Sequence, residues 1–118
     1  MLDKVLKVGL LFDFYGALLT EKQQQCLEMH YLQDLSLSEI ADEFGVSRQA
    51  VHDILRRAEQ TLNEYEVKLK LIERHRRDQH TIKQVYDLVD SLSAEIRNIP
   101  EIQAVMKELS TMMKAGEV

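Results

Sequence analysis

Apolar residues recur along most of this chain at spacings of three and four, which is the period of one face of an α-helix. Residues 37–57, LSEIADEFGVSRQAVHDILRR, show this pattern on both sides of a single glycine. Gly45 can adopt a positive φ without steric cost, and Ser47 is a favoured N-cap for a following helix. The pattern therefore predicts two short helices joined by a tight turn, with apolar positions at Ile40, Ala41, Phe44, Val51, Ile54 and Leu55.

Two side chains next to the glycine make this prediction more specific. Ala41 leaves room for the two helices to approach, because a larger side chain there would push them apart. Val46 directly follows the glycine and is expected to pack the turn against the core. Together these features indicate a helix-turn-helix, the unit that places its second helix in the major groove of DNA.

The earlier helices carry local start signals as well. Residues 20–23 (TEKQ) and 36–39 (SLSE) each fit a capping box, in which the first and last side chains cap one another's backbone N–H. We expect a first helix over about residues 3–19 and a second over about residues 20–31. β-branched residues nowhere alternate as they do in a strand, so the predicted fold class is all-α.

The helix after the turn does not end where a minimal DNA-binding domain would. It carries a heptad seam, uninterrupted by proline or glycine, that consists of Val51, Leu55, Ala58, Leu62, Tyr65, Leu69 and Ile72. This seam predicts one long helix that continues past Lys70. The polar run at residues 74–81 is expected to be a loop or an exposed stretch of helix.

Two more apolar seams follow the polar run. The second seam is one residue out of phase with the first, which predicts a break between them; it consists of Ile82, Val85, Val89, Leu92, Ile96 and Ile99. Asn98 can cap a last helix with Pro100 in its first turn, and the apolar face of that helix comprises Ile102, Val105, Met106, Leu109 and Met113.

These seams predict a helix-turn-helix domain over residues 1–66 and a long helical extension over residues 67–118. Because the extension carries more apolar surface than a small core absorbs, we expect it to mediate homo-oligomerisation, with a dimer as the favoured state.

Composition restricts the expected fold and cellular location of the chain. One proline and four glycines in 118 residues leave little room for loops, and the single cysteine excludes an internal disulfide framework. The apolar first twenty residues are interrupted by charges and show no small-residue cleavage site, so we expect a buried helix rather than a leader or a membrane span. The predicted location is the cytoplasm.

The charge distribution opposes the simplest form of DNA binding. Residues 20–66 carry ten acids and four bases, a formal charge of −6, within a chain of net charge −5. Residues 67–77 carry five bases and one acid, a charge of +4. Phosphate contacts require clustered lysine and arginine, and here the basic cluster lies beyond the motif.

The outward face of the predicted recognition helix supplies the first candidate site. Arginine and glutamine suit bidentate contacts to guanine and adenine edges, and the base-facing candidates are Arg48, Gln49, His52 and Arg56. The candidate phosphate contacts are Ser38, Ser47 and Arg57. The alternative is a solvated helix face, since the neighbouring Asp42, Glu43 and Asp53 would repel phosphate.

The basic segment is the second candidate site, for RNA or for a protein partner. It contains Lys68, Lys70, Arg74, Arg76 and Arg77. RNA helices are recognised largely through shape and backbone, which suits such a cluster. The alternative is a solvated helix end, where cations also favour the helix dipole.

Other chemistry has little support. Cys26 and His30 are four residues apart, but two ligands are a weak metal signal, and no metal or cofactor is expected. No glycine-rich phosphate loop, nucleophile elbow or pair of carboxylates in a recognisable frame is present, so we do not expect an enzyme.

Residues 20–62 resemble region 4 of bacterial sigma factors, through the pieces LTEKQQQ, LSLSEIADEFGVS and RRAEQTL. The start, LLFDFYGALLTEKQQ, and the long helical tail extend the likeness, so that nearly all of residues 1–113 resembles the YlxM family of small bacterial proteins. That family is linked to the signal recognition particle pathway by gene neighbourhood with the particle's GTPase. Two departures from the sigma pattern are Asp53 on the outward face and the lack of the other sigma regions.

The resemblance implies a DNA-binding regulatory protein acting in the signal recognition particle pathway. The alternative is an accessory of that particle, which would bind its RNA or protein through residues 68–77 without sequence-specific DNA binding. A third hypothesis is a protein-interaction module that keeps the helix-turn-helix only as a scaffold, since a fold does not fix a function.

Overall fold

The structure is a computed structural model that describes residues 2–116, and it confirms the all-α prediction. Within these residues the chain forms seven α-helices and no strand. The helices are α1 (Leu2–Tyr15), α2 (Glu21–Leu27), α3 (Leu37–Phe44), α4 (Arg48–Leu69), α5 (Leu71–Asp90), α6 (Ala94–Arg97) and α7 (Pro100–Ala115). None of them combines the length and the apolar character needed to cross a bilayer.

The first two helices end differently from the sequence prediction. Helix α1 stops at Tyr15, and Gly16–Leu18 form a 3₁₀ turn rather than more α-helix. Helix α2 continues as a π-helical turn over Glu28–Leu32. Such changes of helical type at helix ends let the last turn adjust to its packing partners.

Both predicted capping boxes are present. The Thr20 hydroxyl accepts from the Gln23 backbone N–H at 3.2 Å, and the Gln23 side chain accepts from the Thr20 N–H at 3.1 Å. Ser36 and Glu39 make the same reciprocal pair at 3.1 Å each. These hydrogen bonds satisfy N–H groups that have no partner inside the helix, so they define where α2 and α3 begin.

The core of the first unit is where helices α1 to α4 meet. Most of the heptad seam lies inside this core, and its buried members are Val51, Leu55, Ala58, Leu62 and Ile72. Leu69, further along the seam, is 47% exposed. The seam of α4 is therefore used mainly to hold the helix-turn-helix together.

The predicted single helix past Lys70 is wrong. Helix α4 ends at Leu69, Lys70 adopts the left-handed conformation (φ 55°, ψ 33°), and α5 begins at Leu71. The Tyr15 hydroxyl accepts the Leu71 N–H at 3.1 Å, and Oε1 of Glu66 accepts the Ile72 N–H at 3.1 Å. Because these groups cap a new helix, the break costs few hydrogen bonds.

The chain divides into two compact units between Ile72 and Glu73. In the second unit the polar run at residues 74–81 is helical, within α5, and the second seam is interrupted by the turn at residues 91–93. Asn98 does not cap the last helix: it ends α6, and Ile99 is the residue before Pro100 at the start of α7.

Helices α5 and α7 form an antiparallel hairpin. The Gly116 carbonyl, just beyond the end of α7, accepts a hydrogen bond from Nε2 of His75 in the first turns of α5 at 2.9 Å. A line of half-buried side chains faces inward, consisting of Ile82, Tyr86, Val89, Ile102, Met106, Leu109 and Met113. None of residues 73–116 is fully buried.

Candidate nucleic-acid interface

The turn between α3 and α4 has the predicted geometry. Gly45 is left-handed (φ 64°, ψ 35°), and its N–H donates to the Asp42 carbonyl at 3.4 Å. The Val46 N–H donates to the Ala41 carbonyl at 3.0 Å, which completes a Schellman motif. Val46 packs against the core cluster. The turn therefore ends α3 sharply and redirects the chain.

Helix α4 begins at its predicted cap. The Ser47 hydroxyl accepts from the Ala50 N–H at 3.1 Å. Val51 on α4 is fully buried, and so is Ile40 on α3, while Ala41 is 5% exposed between them. Because the apolar side of α4 is fixed in this way, its opposite side must face solvent.

The four base-facing candidates lie on that exposed part of α4. Arg48, His52 and Arg56 are spaced by four residues, so they follow one another along the helix, and Gln49 lies beside them. The first of them line a shallow, open depression of about 390 Å³, whose lining residues are Leu37, Arg48, Gln49 and His52. The exposed side of the first two turns of α4 therefore carries mostly hydrogen-bond donors.

Asp53 plays a part that the sequence did not indicate. Its Oδ1 accepts a hydrogen bond from Nε2 of Gln49 at 3.2 Å and lies 3.9 Å from Nδ1 of His52. The charge of Asp53 predicts only repulsion of phosphate, although its four-residue spacing from Gln49 on a helix also favours a hydrogen bond between the two side chains. The carboxylate orients the glutamine amide while leaving its carbonyl oxygen available.

The three candidate phosphate contacts are exposed, but they are not equivalent. Ser38 lies in the first turn of α3, and the Ser47 hydroxyl is already the N-cap acceptor of α4. The hydroxyl proton of Ser47 remains available for donation. Arg57 is exposed on a flank of α4, one residue and therefore about 100° around the helix from Arg56.

The basic segment falls in two units. Lys68 and Lys70 are exposed in the first unit, at the end of α4. The three arginines, Arg74, Arg76 and Arg77, are exposed in the second unit. Arg74 and Arg77 are three residues apart and share one side of α5, while Arg76 lies on another side. Arg77 forms an ion pair with Glu73 at 3.1 Å.

Glu59 ties α4 to two other segments of the first unit. The Tyr31 hydroxyl donates to Oε1 of Glu59 on α4, and Lys4 of α1 lies 3.8 Å from Oε2 of the same residue. Burial, and then the bond to the carboxylate, raises the pKa of Tyr31 well above its ordinary value. The phenol therefore stays protonated as a donor and joins α4 to the segment after α2.

Cys26 and His30, the two candidate metal ligands in the sequence, belong to no larger group of candidate ligands among the described residues. Cys26 is fully buried, and burial raises the pKa of its thiol. Nδ1 of His30 donates to the Leu35 carbonyl at 3.1 Å. Over residues 2–116, no three histidine, cysteine or acidic side chains are grouped closely enough to hold a metal ion.

A sequence model of one protein family matches residues 2–102 of the chain. Its description is "UPF0122: Putative helix-turn-helix protein, YlxM / p13 like". The chain belongs to this family. The resemblance to YlxM proteins predicted from the sequence is thereby confirmed, and the helix-turn-helix in its description corresponds to α3, Gly45 and α4.

Other members of the UPF0122 family are similar over much of their length. The UPF0122 protein of Halalkalibacterium halodurans is 44% identical over 112 residues, covering 95% of this chain and 99% of that protein. A UPF0122 protein of Symbiobacterium thermophilum is 46% identical over 102 residues, covering 85% and 95%. One from Shouchella clausii is 61% identical over 74 residues, covering 63% and 68%.

Proposed function

We propose that this protein is a DNA-binding regulator that docks the first turns of α4 in the major groove. One observation carries the proposal: Arg48, Gln49 and His52 are exposed at the start of a helix whose other side is buried against α3. In helix-turn-helix proteins it is the N-terminal residues of the second helix that contact base edges. The family description supports a helix-turn-helix role of this kind.

Each side chain has a distinct expected contact. Arg48 and Arg56 can donate two hydrogen bonds to a guanine edge, and Gln49 can pair with an adenine edge. His52 adds a ring nitrogen between them. The phosphate contacts would come from Ser38, Ser47 and Arg57, which set the register of the helix on the duplex without selecting sequence.

The surrounding charge predicts moderate affinity. Asp42 and Glu43 are exposed on α3, and residues 20–66 sum to −6. Non-specific affinity depends on the number of phosphates that cations neutralise, which is small here. The discrimination between sequences should therefore come largely from base contacts.

The test is selection from a random duplex library, followed by fluorescence anisotropy with the selected duplex at several salt concentrations. We expect Arg48→Ala to lose sequence preference and Arg57→Ala to weaken binding to all duplexes alike. Arg76→Ala, an exposed arginine in α5, is the matched control and should change neither. Binding that ignores salt, or a selection that enriches no sequence, would refute the proposal.

The exposed arginines of α5 favour a second function, as an accessory of the signal recognition particle that binds its RNA or protein. Arg74, Arg76 and Arg77 are all exposed, and in the sequence they follow the acidic residues 20–66. Neutralising all three to glutamine should then abolish binding to the particle's RNA or protein, while Arg48→Ala leaves it intact. The opposite result would exclude this function.

The protein would act by binding rather than by catalysis. The protein would act in the cytoplasm as a homo-oligomer, and a dimer would place two recognition helices on successive turns of one duplex. Its likeness to sigma region 4 would extend to docking geometry but not to polymerase recruitment. The partners proposed are therefore DNA, or RNA and protein of the signal recognition particle, and a second copy of the chain.

A further inference from the structure

The α5–α7 hairpin leaves a second apolar face uncovered. Its inward line of side chains is only half-buried, and within residues 73–116 four further large apolar side chains on the two long helices are exposed. Their exposed fractions are 40% for Val85, 69% for Leu88, 44% for Val105 and 48% for Met112. Two helices cannot enclose a core between them, so we expect a further layer of helices to cover this hairpin.

The four exposed side chains lie on one side of the hairpin. Each directly precedes an inward-facing residue: Val85 precedes Tyr86, and Leu88 precedes Val89. Helix α7 repeats this relation, with Val105 before Met106 and Met112 before Met113. Moving back by one residue rotates a side chain by about 100° around the helix axis. Because the two helices run in opposite directions, this rotation carries side chains from both inner faces to the same side of the pair.

We propose that a second copy of this chain covers the face formed by Val85, Leu88, Val105 and Met112, so that two hairpins make a four-helix bundle. This inference deepens the homo-oligomer within the proposed function by naming its surface. It assigns the interface to the second unit, whereas the seam of α4 is packed in the core of the first unit.

Charge favours a second copy over a charged partner. Residues 73–116 contain seven acidic and seven basic side chains, so their formal charge is zero. Two copies of this unit therefore carry no net repulsion, and four apolar side chains offer no attraction to nucleic acid or to a strongly charged protein. A two-fold pairing also needs only one self-complementary patch, which this face supplies.

The size of the face suits a stable dimer. From their exposed fractions, the four side chains present on the order of 400 Å² of apolar surface per copy. A standard interface buries about 800 Å² per partner, of which roughly 60% is apolar. The four side chains would form most of the apolar centre, and the polar residues beside them would form the rim.

The experiment compares two exposed leucines in the full chain. Leu88→Glu changes the proposed face, and Leu32→Glu changes a leucine of the first unit that is similarly exposed, at 72%. Light scattering after size-exclusion chromatography at micromolar concentration should give twice 13.7 kDa for the wild type and for Leu32→Glu. Leu88→Glu should run as a monomer, because a buried carboxylate without a partner is costly.

Several outcomes would overturn the inference. A wild-type monomer would do so, as would a dimer that Leu32→Glu dissociates and Leu88→Glu leaves intact. Circular dichroism shows whether Leu88→Glu is folded; if it is not, Met112→Glu at the end of the face must give a folded monomer. Fluorescence anisotropy with DNA on the same samples separates the dimer interface from the proposed DNA binding. A wild-type monomer that binds DNA refutes only the dimer interface. A wild-type dimer that does not bind DNA refutes only the proposed DNA function.

Discussion

The hydroxyl of Tyr15 lies 2.5 Å from Oε1 of Glu66, although 51 residues separate them in sequence. Tyr15 is fully buried, and the same hydroxyl accepts the Leu71 N–H, while Glu66 accepts the Ile72 N–H. This network joins α1 to the end of α4 and provides the first hydrogen-bond acceptors of α5. It is the structural reason that the chain turns at Lys70.

We expect Tyr15→Phe to lower the free energy of unfolding by about 1–2 kcal/mol, because it removes both hydrogen bonds of the hydroxyl and leaves the Leu71 N–H unpaired. Urea denaturation followed by circular dichroism measures this change. The control is Tyr65→Phe, which keeps the ring that stacks on Tyr15 at a centroid distance of 5.9 Å. Equal losses in the two variants would show that the Tyr15 hydroxyl does not matter.

Lys70→Gly should raise the free energy of unfolding by about 0.5–1 kcal/mol. Lys70 has a φ of 55°, which glycine adopts without the clash that a Cβ causes. Lys70→Ala removes the same charge but keeps the Cβ, so it should give no gain. If glycine instead destabilises the protein, α4 and α5 form one continuous helix, as the seam alone predicted.

Gly45→Ala should destabilise the first unit by about 1 kcal/mol through backbone strain alone. A Cβ at Gly45 would meet nothing within 4 Å, but its φ of 64° is unfavourable for an L side chain. Asparagine tolerates this conformation better, so Gly45→Asn should cost less. Thermal or urea unfolding distinguishes the two, and a larger loss for asparagine would point to a steric rather than a conformational cause.

Asp53→Ala should increase DNA affinity about five-fold while weakening the preference for adenine at the base that Gln49 contacts. Removing one charge near a phosphate is worth about 1 kcal/mol in water, and the alanine no longer holds the glutamine amide. Asp53→Asn removes the charge but keeps an acceptor, so it should raise affinity and retain the preference. Anisotropy with the selected duplex and its adenine variants tests both, and unchanged affinity in both variants would contradict the assigned role.

Stability should fall at alkaline pH because of two tyrosines. Burial, and then hydrogen bonds to Glu66 and Glu59, raises the pKa of Tyr15 and of Tyr31 above that of a free phenol, which is about 10. The folded state therefore keeps protons that the unfolded state loses. The stabilisation is complete below about pH 10 and disappears as the pH rises towards the folded pKa values.

Urea midpoints measured across this alkaline range, together with tyrosine absorbance, test the prediction. A variant with both Tyr15→Phe and Tyr31→Phe should be less stable at neutral pH and should lose less stability above pH 10. Steeper alkaline loss in the double variant than in the wild type would contradict it.

Helix starts and the turn could be predicted because their causes are local. Capping at Thr20, Ser36 and Ser47 involves side chains and N–H groups three residues apart, and the φ of Gly45 follows from a missing Cβ. The buried positions of α3 and the first half of α4 followed from the helical period in the same way. The polar candidates on α4 could then be assigned to the opposite side.

The predictions that the structure corrected or extended have several causes. Asn98 has a good capping side chain, yet it ends α6, and Ile99 takes the position before Pro100. The hydrogen bond from Gln49 to Asp53 is local, but the charge of Asp53 by itself predicts only repulsion of phosphate. The seam of α4 could not show which of its residues face the core and which face solvent.

The amino-acid sequence by itself determined that this chain is helical, where the helix-turn-helix lies and which side of α4 is polar, because helical periodicity and capping act over three to four residues. Tertiary structure decided that α4 ends at Leu69 and that most of the seam is buried in the core of the first unit. Those outcomes depend on the Tyr15–Glu66 hydrogen bond and on packing between distant segments, whose free energy no short stretch of sequence contains.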